Sequence, residues 1–352
     1  MPLLSRMIGT PLAVDIGPGA VASLAPLLAD RRISSGGHVA VVVGPGQGEQ
    51  IAATVQPALE NAEIWHVEGG SVSAAMDLAK RLRGDFFDAV VGIGGGRTLD
   101  TTKYAATLSG LPMVAVATSL AHDGIASPVA SLQEQGRKGS FGVQMPIAIV
   151  VDLDYVRTSP VEMRRAGIGD TISNLGAVAD WRLAERERGE AVDGLAVTFA
   201  HTAAMAVIDR RDGVGDDPFL IALAEGLVLS GLAMATAGSS RPCSGGDHEI
   251  VHAIDHLFPG TGHHGELAGV CVLFTALLRG SDRQFRALHR CLTQHGLPRS
   301  HAELGLSDEQ FAAAVEQAPA TRPGRFTILE HLDLGPEEVR RRVHAFAESV
   351  DR

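Results

Sequence analysis

At 352 residues, 45% of them apolar and 20% charged, the chain is long enough for two domains with a sizeable core and too balanced in composition for a fibrous or disordered protein. A formal net charge of −11 excludes a role resting on broad contact with nucleic acid, which needs a basic face. Three cysteines without a CxxC pair indicate neither a disulfide framework nor a thiolate metal site, and the lack of a basic-then-apolar leader or of 18 uninterrupted apolar residues sets the expectation of a cytoplasmic protein without membrane insertion.

Along the chain, apolar runs at 38–44 (HVAVVVG), 63–69 (EIWHVEG), 88–96 (DAVVGIGGG), 112–118 (PMVAVAT) and 147–152 (IAIVVD) read as strands. Between the first four lie 47–61, 71–84 and 98–110, each with apolar residues at helical spacing and a Gly or Asn near its end. A β-α-β-α series of this kind makes a parallel sheet covered by helices. After about residue 155 the strand signals stop. Long Ala- and Leu-rich amphipathic segments follow, among them 171–188 and 218–238, then a Gly- and Pro-bearing loop at 238–246, a helix at 247–257 and a closing loop at 258–266. The expected architecture is an α/β Rossmann-like parallel-sheet domain over 1–155, followed by an all-α domain over 156–352.

Three segments carry candidate chemistry. The turn 92–103 (GIGGGRTLDTTK) follows a strand and opens a helix, so Gly94, Gly95 and Gly96 allow backbone N–H groups to approach a pyrophosphate at a helix N-terminus. Asp100 and Lys103, three apart on that helix, are expected on one face near the ligand; the plainer alternative is a tight turn with a surface ion pair. The loop 117–128 gathers Thr118, Ser119, His122, Asp123 and Ser127 after another strand, where α/β sheets bind ligands, although some of these side chains also suit helix capping. His248, His252 and His256 recur every four residues and so share one helix face, with His263 and His264 just beyond. Imidazoles grouped this way suit zinc, nickel or ferrous iron; a solvated face carrying Asp247, Glu249 and Asp255 is the alternative. Asp170, read by itself, is an N-cap.

Taken in order, GGGRTLDTTK at 94–103, SLAHDGIASP at 119–128, GIGDTISNLGAVADWRLA at 167–184, SGGDHEIVHAIDH at 244–256, HHGELAGV at 263–270 and RFTILEHL at 325–332 resemble the sn-glycerol-1-phosphate dehydrogenase family. That family is a branch of the iron-dependent alcohol dehydrogenase and dehydroquinate synthase-like superfamily. The resemblance implies an NAD- or NADP-linked oxidoreductase, with Gly94, Gly95, Gly96, Arg97, Thr98, Thr118, Ser119 and Ser127 at the dinucleotide. It further implies Asp170, His248 and His264 as ligands of one divalent metal, zinc before nickel or iron, and Asp123 and His252 facing a polyol or ketose phosphate. Metal-assisted hydride transfer is the implied chemistry, and a homo-oligomer the expected assembly. The chain departs from the family pattern in reading Gly245-Gly246-Asp247-His248 where Gly-Ser-Glu-His is usual, and in the loop Gly44-Pro45-Gly46, where an acidic cofactor contact is expected. No Lys/Arg cluster marks a phosphate pocket in the linear sequence. A sugar-phosphate cyclase of the dehydroquinate synthase type and a catalytically silent ligand-binding relative are the alternative readings.

Overall fold

The computed structural model describes residues 9–59 and 61–350. The predicted helix 47–61 therefore runs across residue 60, which lies outside the described residues, as do the ends of both expected domains. The strands among the described residues are β1 (Ala13–Gly17), β2 (Val39–Val43), β3 (Ala62–His66), β4 (Ala89–Gly94), β5 (Met113–Ala117), β6 (Val129–Glu134), β7 (Arg137–Gly142) and β8 (Ala148–Asp152). Six of these form one wholly parallel sheet in the order β1-β8-β5-β4-β2-β3, while β6 and β7 form an antiparallel hairpin.

The inner strands explain themselves. In β2, β4, β5 and β8 every residue is buried, and the runs are almost all Val, Ile, Ala and Gly, as strands covered on both faces must be. Helices α1 (Leu24–Ala29), α2 (Gln47–Val55), α3 (Val72–Gly84), α4 (Gly96–Ser109) and α5 (Leu153–Val156) accompany the sheet. The five strands read from the sequence are present, but β1 was missed. Its half-exposed edge position gives it only a mixed pattern of apolar and polar residues. The β6–β7 hairpin was also missed, because its outer strand, RKGSFG, buries almost nothing.

After β8 the chain is helical: α6 (Val161–Arg188), α7 (Gly194–Ile208), α8 (Asp217–Ala237), α9 (Gly246–Leu257), α10 (His264–Leu278), α11 (Asp282–His295), α12 (Asp308–Thr321), α13 (Ile328–Leu332) and α14 (Pro336–Val350). By length and composition α8 could cross a membrane, yet 72% of its most apolar window is buried inside the protein, which makes it a core helix. Two compact units emerge. One comprises the described residues up to Ser119, with Gly124–Ser159 and Met234–Ser239; the other comprises Leu120–Asp123, Pro160–Ala233 and the described residues from Ser240 onward. The boundary expected at 155/156 thus falls at 159/160, and two short segments cross it.

Within the helical unit, α6 begins ten residues earlier than the predicted 171, so Asp170 lies inside a 28-residue helix instead of capping one. Residues 264–266 likewise open α10 and do not close a loop. Glycines let these two helices meet almost backbone to backbone. A Cβ on Gly169 would stand 2.0 Å from the Gly265 carbonyl oxygen, and one on Gly265 would stand 1.8 Å from that of Ala166. On the other side of α6, a Cβ on Gly167 would meet the Leu120 carbonyl oxygen at 1.9 Å. Backbone oxygen cannot swing aside as a side chain can, so any larger residue forces the helices apart. Gly169→Ala is expected to lower the stability to denaturant unfolding by about 2 kcal/mol, an overpacking cost; an unchanged midpoint would show that the helices are not locked at this contact.

Candidate functional site

Asp170, His248 and His264 come from three helices, α6, α9 and α10, and converge in the helical unit. One ligand atom from each lies within 4.8 Å of the others. His264 Nε2 is 3.6 Å and His248 Nε2 3.9 Å from the same oxygen of Asp170, Oδ1. The other oxygen, Oδ2, accepts the backbone N–H of Asp123 at 2.8 Å, so the carboxylate is fixed with Oδ1 turned to the imidazoles. Burial pushes the Asp170 carboxyl up to about 7, and the charge of Asp123 adds to the shift. A carboxylate held in such a place calls for a cation, and two imidazoles with one carboxylate form the donor set of a divalent transition metal with open positions left for substrate. The residues present therefore fit a metal ion.

Local structure explains how each ligand is aimed. His248 stands in the first turn of α9, and the fully buried Asp180 of α6 anchors that turn by accepting the Gly246 N–H at 2.8 Å. The second oxygen of Asp180 accepts the Ile328 N–H at 2.8 Å and pairs with Arg279 at 2.7 Å, which ties in the start of α13 and the end of α10. Asp247, fully buried, lies 2.5 Å by Oδ2 from His248 Nδ1, which leaves Nε2 to face Asp170. Burial opposes a charge on His248, but the Asp247 carboxylate outweighs it and raises the imidazole pKa. A carboxylate behind a ligating histidine sets its tautomer and basicity. This overturns the solvated-face alternative: Asp247 and Glu249 are both wholly buried. At α10, the Glu266 carboxylate accepts the His263 N–H at 3.0 Å and caps the turn that carries His264. His263 and His256 are exposed and stand apart from the cluster.

His252, one turn beyond His248 and half-buried, does not join the three ligands. Its Nε2 lies 2.7 Å from Arg322 Nη2, and since a guanidinium only donates, this imidazole nitrogen accepts. The thiols of Cys243 and Cys271 are buried, and burial pushes both well up, which makes them poor ligands.

In the sheet unit the glycine turn occupies the topological switch point. From β2 the chain moves outward to β3 and then returns to β4 on the other side of β2, and crevices at the carboxyl ends of such strands are where doubly wound sheets bind ligands. A Cβ on Gly44 or Gly94 would strike Thr98 at 2.1 or 2.8 Å, so the β2 and β4 ends close tightly around the first turn of α4. Gly95 caps α4 without a side-chain hydrogen bond among the described residues, which leaves first-turn N–H groups open to an anion. Thr118 and Ser119 follow β5 beside this turn: Thr118 N–H donates to the Gly94 carbonyl at 3.1 Å, and Ser119 Oγ would lie 3.6 Å from a Cβ on Gly95. Arg97 is exposed and lies over Gly70.

Asp100, Lys103 and Ser127 point elsewhere than expected. Lys103 is fully buried, paired with Asp100 at 2.9 Å, and donates to the carbonyls of Ser127 and Val129; Asp100 Oδ2 accepts the Ser131 N–H at 3.0 Å. The Ser127 hydroxyl donates to the Val129 carbonyl. The pair is not a surface ion pair; it pins the β6–β7 hairpin to α4, because a buried charge needs a partner and these backbone groups need satisfying.

Two substitutions separate ligand from support. His264→Ala is expected to lose most bound metal, whereas Asp247→Asn should weaken metal affinity by roughly 10–100-fold. Titration against a competing chelator reads both, and wild-type affinity in the pair would sink the site.

Residues 15–160 match the family model of iron-containing alcohol dehydrogenase. Curated relatives include the glycerol-1-phosphate dehydrogenase [NAD(P)+] of Hyperthermus butylicus, 37% identical over 92% of this chain and 93% of its own, and that of Methanothrix thermoacetophila, 35% identical over 91% of each. Among solved structures, a probable glycerol dehydrogenase from Sinorhizobium meliloti superposes with a TM-score of 0.78 over 99% of both chains at 21% identity, a likeness of fold. The chain belongs to the glycerol-1-phosphate dehydrogenase family, within the iron-containing alcohol dehydrogenases.

Proposed function

We propose that the protein is a metal-dependent, NAD(P)-linked dehydrogenase that interconverts dihydroxyacetone phosphate and sn-glycerol 1-phosphate, that its metal is zinc, and that it works as a cytoplasmic homo-oligomer. The observation that carries this reading is the convergence of Asp170, His248 and His264 within 4.8 Å, with Asp247 behind one imidazole. The names of the curated relatives point to the same substrate pair and to the NAD(P) cofactor.

Bound here, a divalent ion would polarise the ketone and steady the alkoxide oxygen, and the reduced nicotinamide would supply the hydride. The chain's own residues hold and orient. Asp170, His248 and His264 would grip the ion, with Asp123 N–H keeping Asp170 Oδ1 directed inward. The Gly94–Gly96 turn and the open first-turn N–H groups of α4 would cradle the pyrophosphate, flanked by Arg97, Thr98, Thr118 and Ser119. Asp123 and His252 would position the substrate hydroxyls.

The test is absorbance of reduced cofactor with dihydroxyacetone phosphate, on metal-stripped protein and after return of zinc, nickel or ferrous iron. Metal-restored oxidation yielding sn-glycerol 1-phosphate, fastest with zinc, is the expected result. Absence of oxidation with every metal would reject the reading, and conversion of a sugar phosphate without net cofactor oxidation would point to a cyclase instead.

A further inference from the structure

Three arginines far apart in sequence from the metal-binding carboxylate gather beside α9. Arg241 lies in the loop before α9, Arg322 caps the C-terminus of α12, and Arg325 follows three residues later. Arg241 is ion-paired with Glu190. Among the described residues, neither Arg322 nor Arg325 is ion-paired with a carboxylate. Instead, both donate to one neutral oxygen, the Ser240 hydroxyl, Arg322 through Nη1 and Arg325 through Nη2, each at 3.0 Å. Arg322 also donates to His252 Nε2, and Arg325 to the Ser244 carbonyl. Asp247 and Glu249 act on both guanidiniums at longer range, one oxygen of each being engaged, by His248 and by Thr327.

Two half-buried like charges sharing a single hydroxyl is an unfavourable arrangement unless an anion completes it. Burial and then the neighbouring guanidiniums of Arg322 and Arg241 bring Arg325 down to about 10. Arginine forks match the oxygens of a phosphate two at a time, and a dianion relieves the repulsion between them. The position is also set by chemistry already described, since Arg322 touches His252, which stands one helical turn from the metal ligand His248.

We infer that Arg322 and Arg325, bridged by Ser240, form the subsite for the phosphate monoester of the substrate, with Arg322 against His252, the residue one turn of α9 beyond the metal ligand His248. The inference rests on the proposed reaction for the identity of the ester and on the arginine geometry for its place. Binding there draws Arg322 toward the phosphate and fixes His252 beside the substrate chain, so that Arg322 and Arg325 act as specificity-determining residues and Ser240 as their spacer.

The experiment compares metal-loaded wild type with Arg325→Gln, Arg322→Gln and the conservative Arg325→Lys. It measures kcat/KM for dihydroxyacetone phosphate relative to unphosphorylated dihydroxyacetone, with thermal unfolding and metal content recorded on the same samples. The ratio is expected to fall about thirtyfold in each Gln variant, as for loss of a charge-assisted contact, mostly through KM for the phosphorylated substrate, and to recover in part in the Lys variant. A purely structural role would change both substrates alike, and an unaltered ratio in folded, metal-replete variants overturns the subsite. Should a Gln variant fail to fold, the Lys variant decides by the same ratio. If wild type itself does not reduce dihydroxyacetone phosphate, the proposed reaction falls, and calorimetric titration with inorganic phosphate judges the subsite alone. Binding by wild type that is lost in the arginine variants upholds it, and absence of binding overturns it.

Discussion

The contact on which the helical unit depends is the approach of α6 to α10 at Gly169 and Gly265. With no Cβ on either helix, a backbone carbonyl fills the space a side chain would take, and the two backbones close to a distance that only glycine permits. Asp170 is the next residue after Gly169, and His264 the one before Gly265. The same contact that packs the helices therefore brings a carboxylate and an imidazole to 3.6 Å. Packing and the placing of these two side chains are one geometric fact here, since an added methyl group at the crossing would meet backbone oxygen beside both.

A second layer of order comes from buried charges held by specific partners. Asp180 receives two backbone N–H groups and a guanidinium, and it holds the start of α9 where His248 must stand. Asp247 does for one imidazole what Asp180 does for the helix, orienting through a single short contact. In the sheet unit, Lys103 and Asp100 tie a weakly buried hairpin to α4. In each case a charge removed from water recovers its interactions only in one arrangement of neighbours, so these groups select a single geometry more than they add net stability.

The chemistry divides in the same manner. The sheet unit offers helix N–H groups without a side-chain cap at a strand-order reversal, which is where the proposed pyrophosphate cradle lies. The helical unit brings together a carboxylate and two imidazoles and, against His252 one turn along α9, the guanidinium of Arg322. If Asp170 holds the metal and the Arg322–Arg325 pair the phosphate, as proposed, the two together suit a substrate with a neutral, polarisable end and a dianionic end.

By itself the sequence determined the parallel sheet, because strands buried on both faces need unbroken apolar runs, and it marked the turn at Gly94–Gly96 and the histidines of α9 and α10. Asp170, His248 and His264 were grouped only through resemblance to a family; by local pattern alone Asp170 was a helix cap. Tertiary structure decided what local pattern leaves undetermined. It placed Asp170 within α6, buried Asp247 and Glu249 where charge suggested a solvated face, and turned Asp100, Lys103 and Ser127 toward a hairpin. It also joined Arg322 and Arg325 to Ser240, more than 80 residues away. Spacing along a helix or strand says which residues share a face; which face is covered, and by what, depends on chain segments distant in sequence, so the partners of buried charges appear only once the chain has folded.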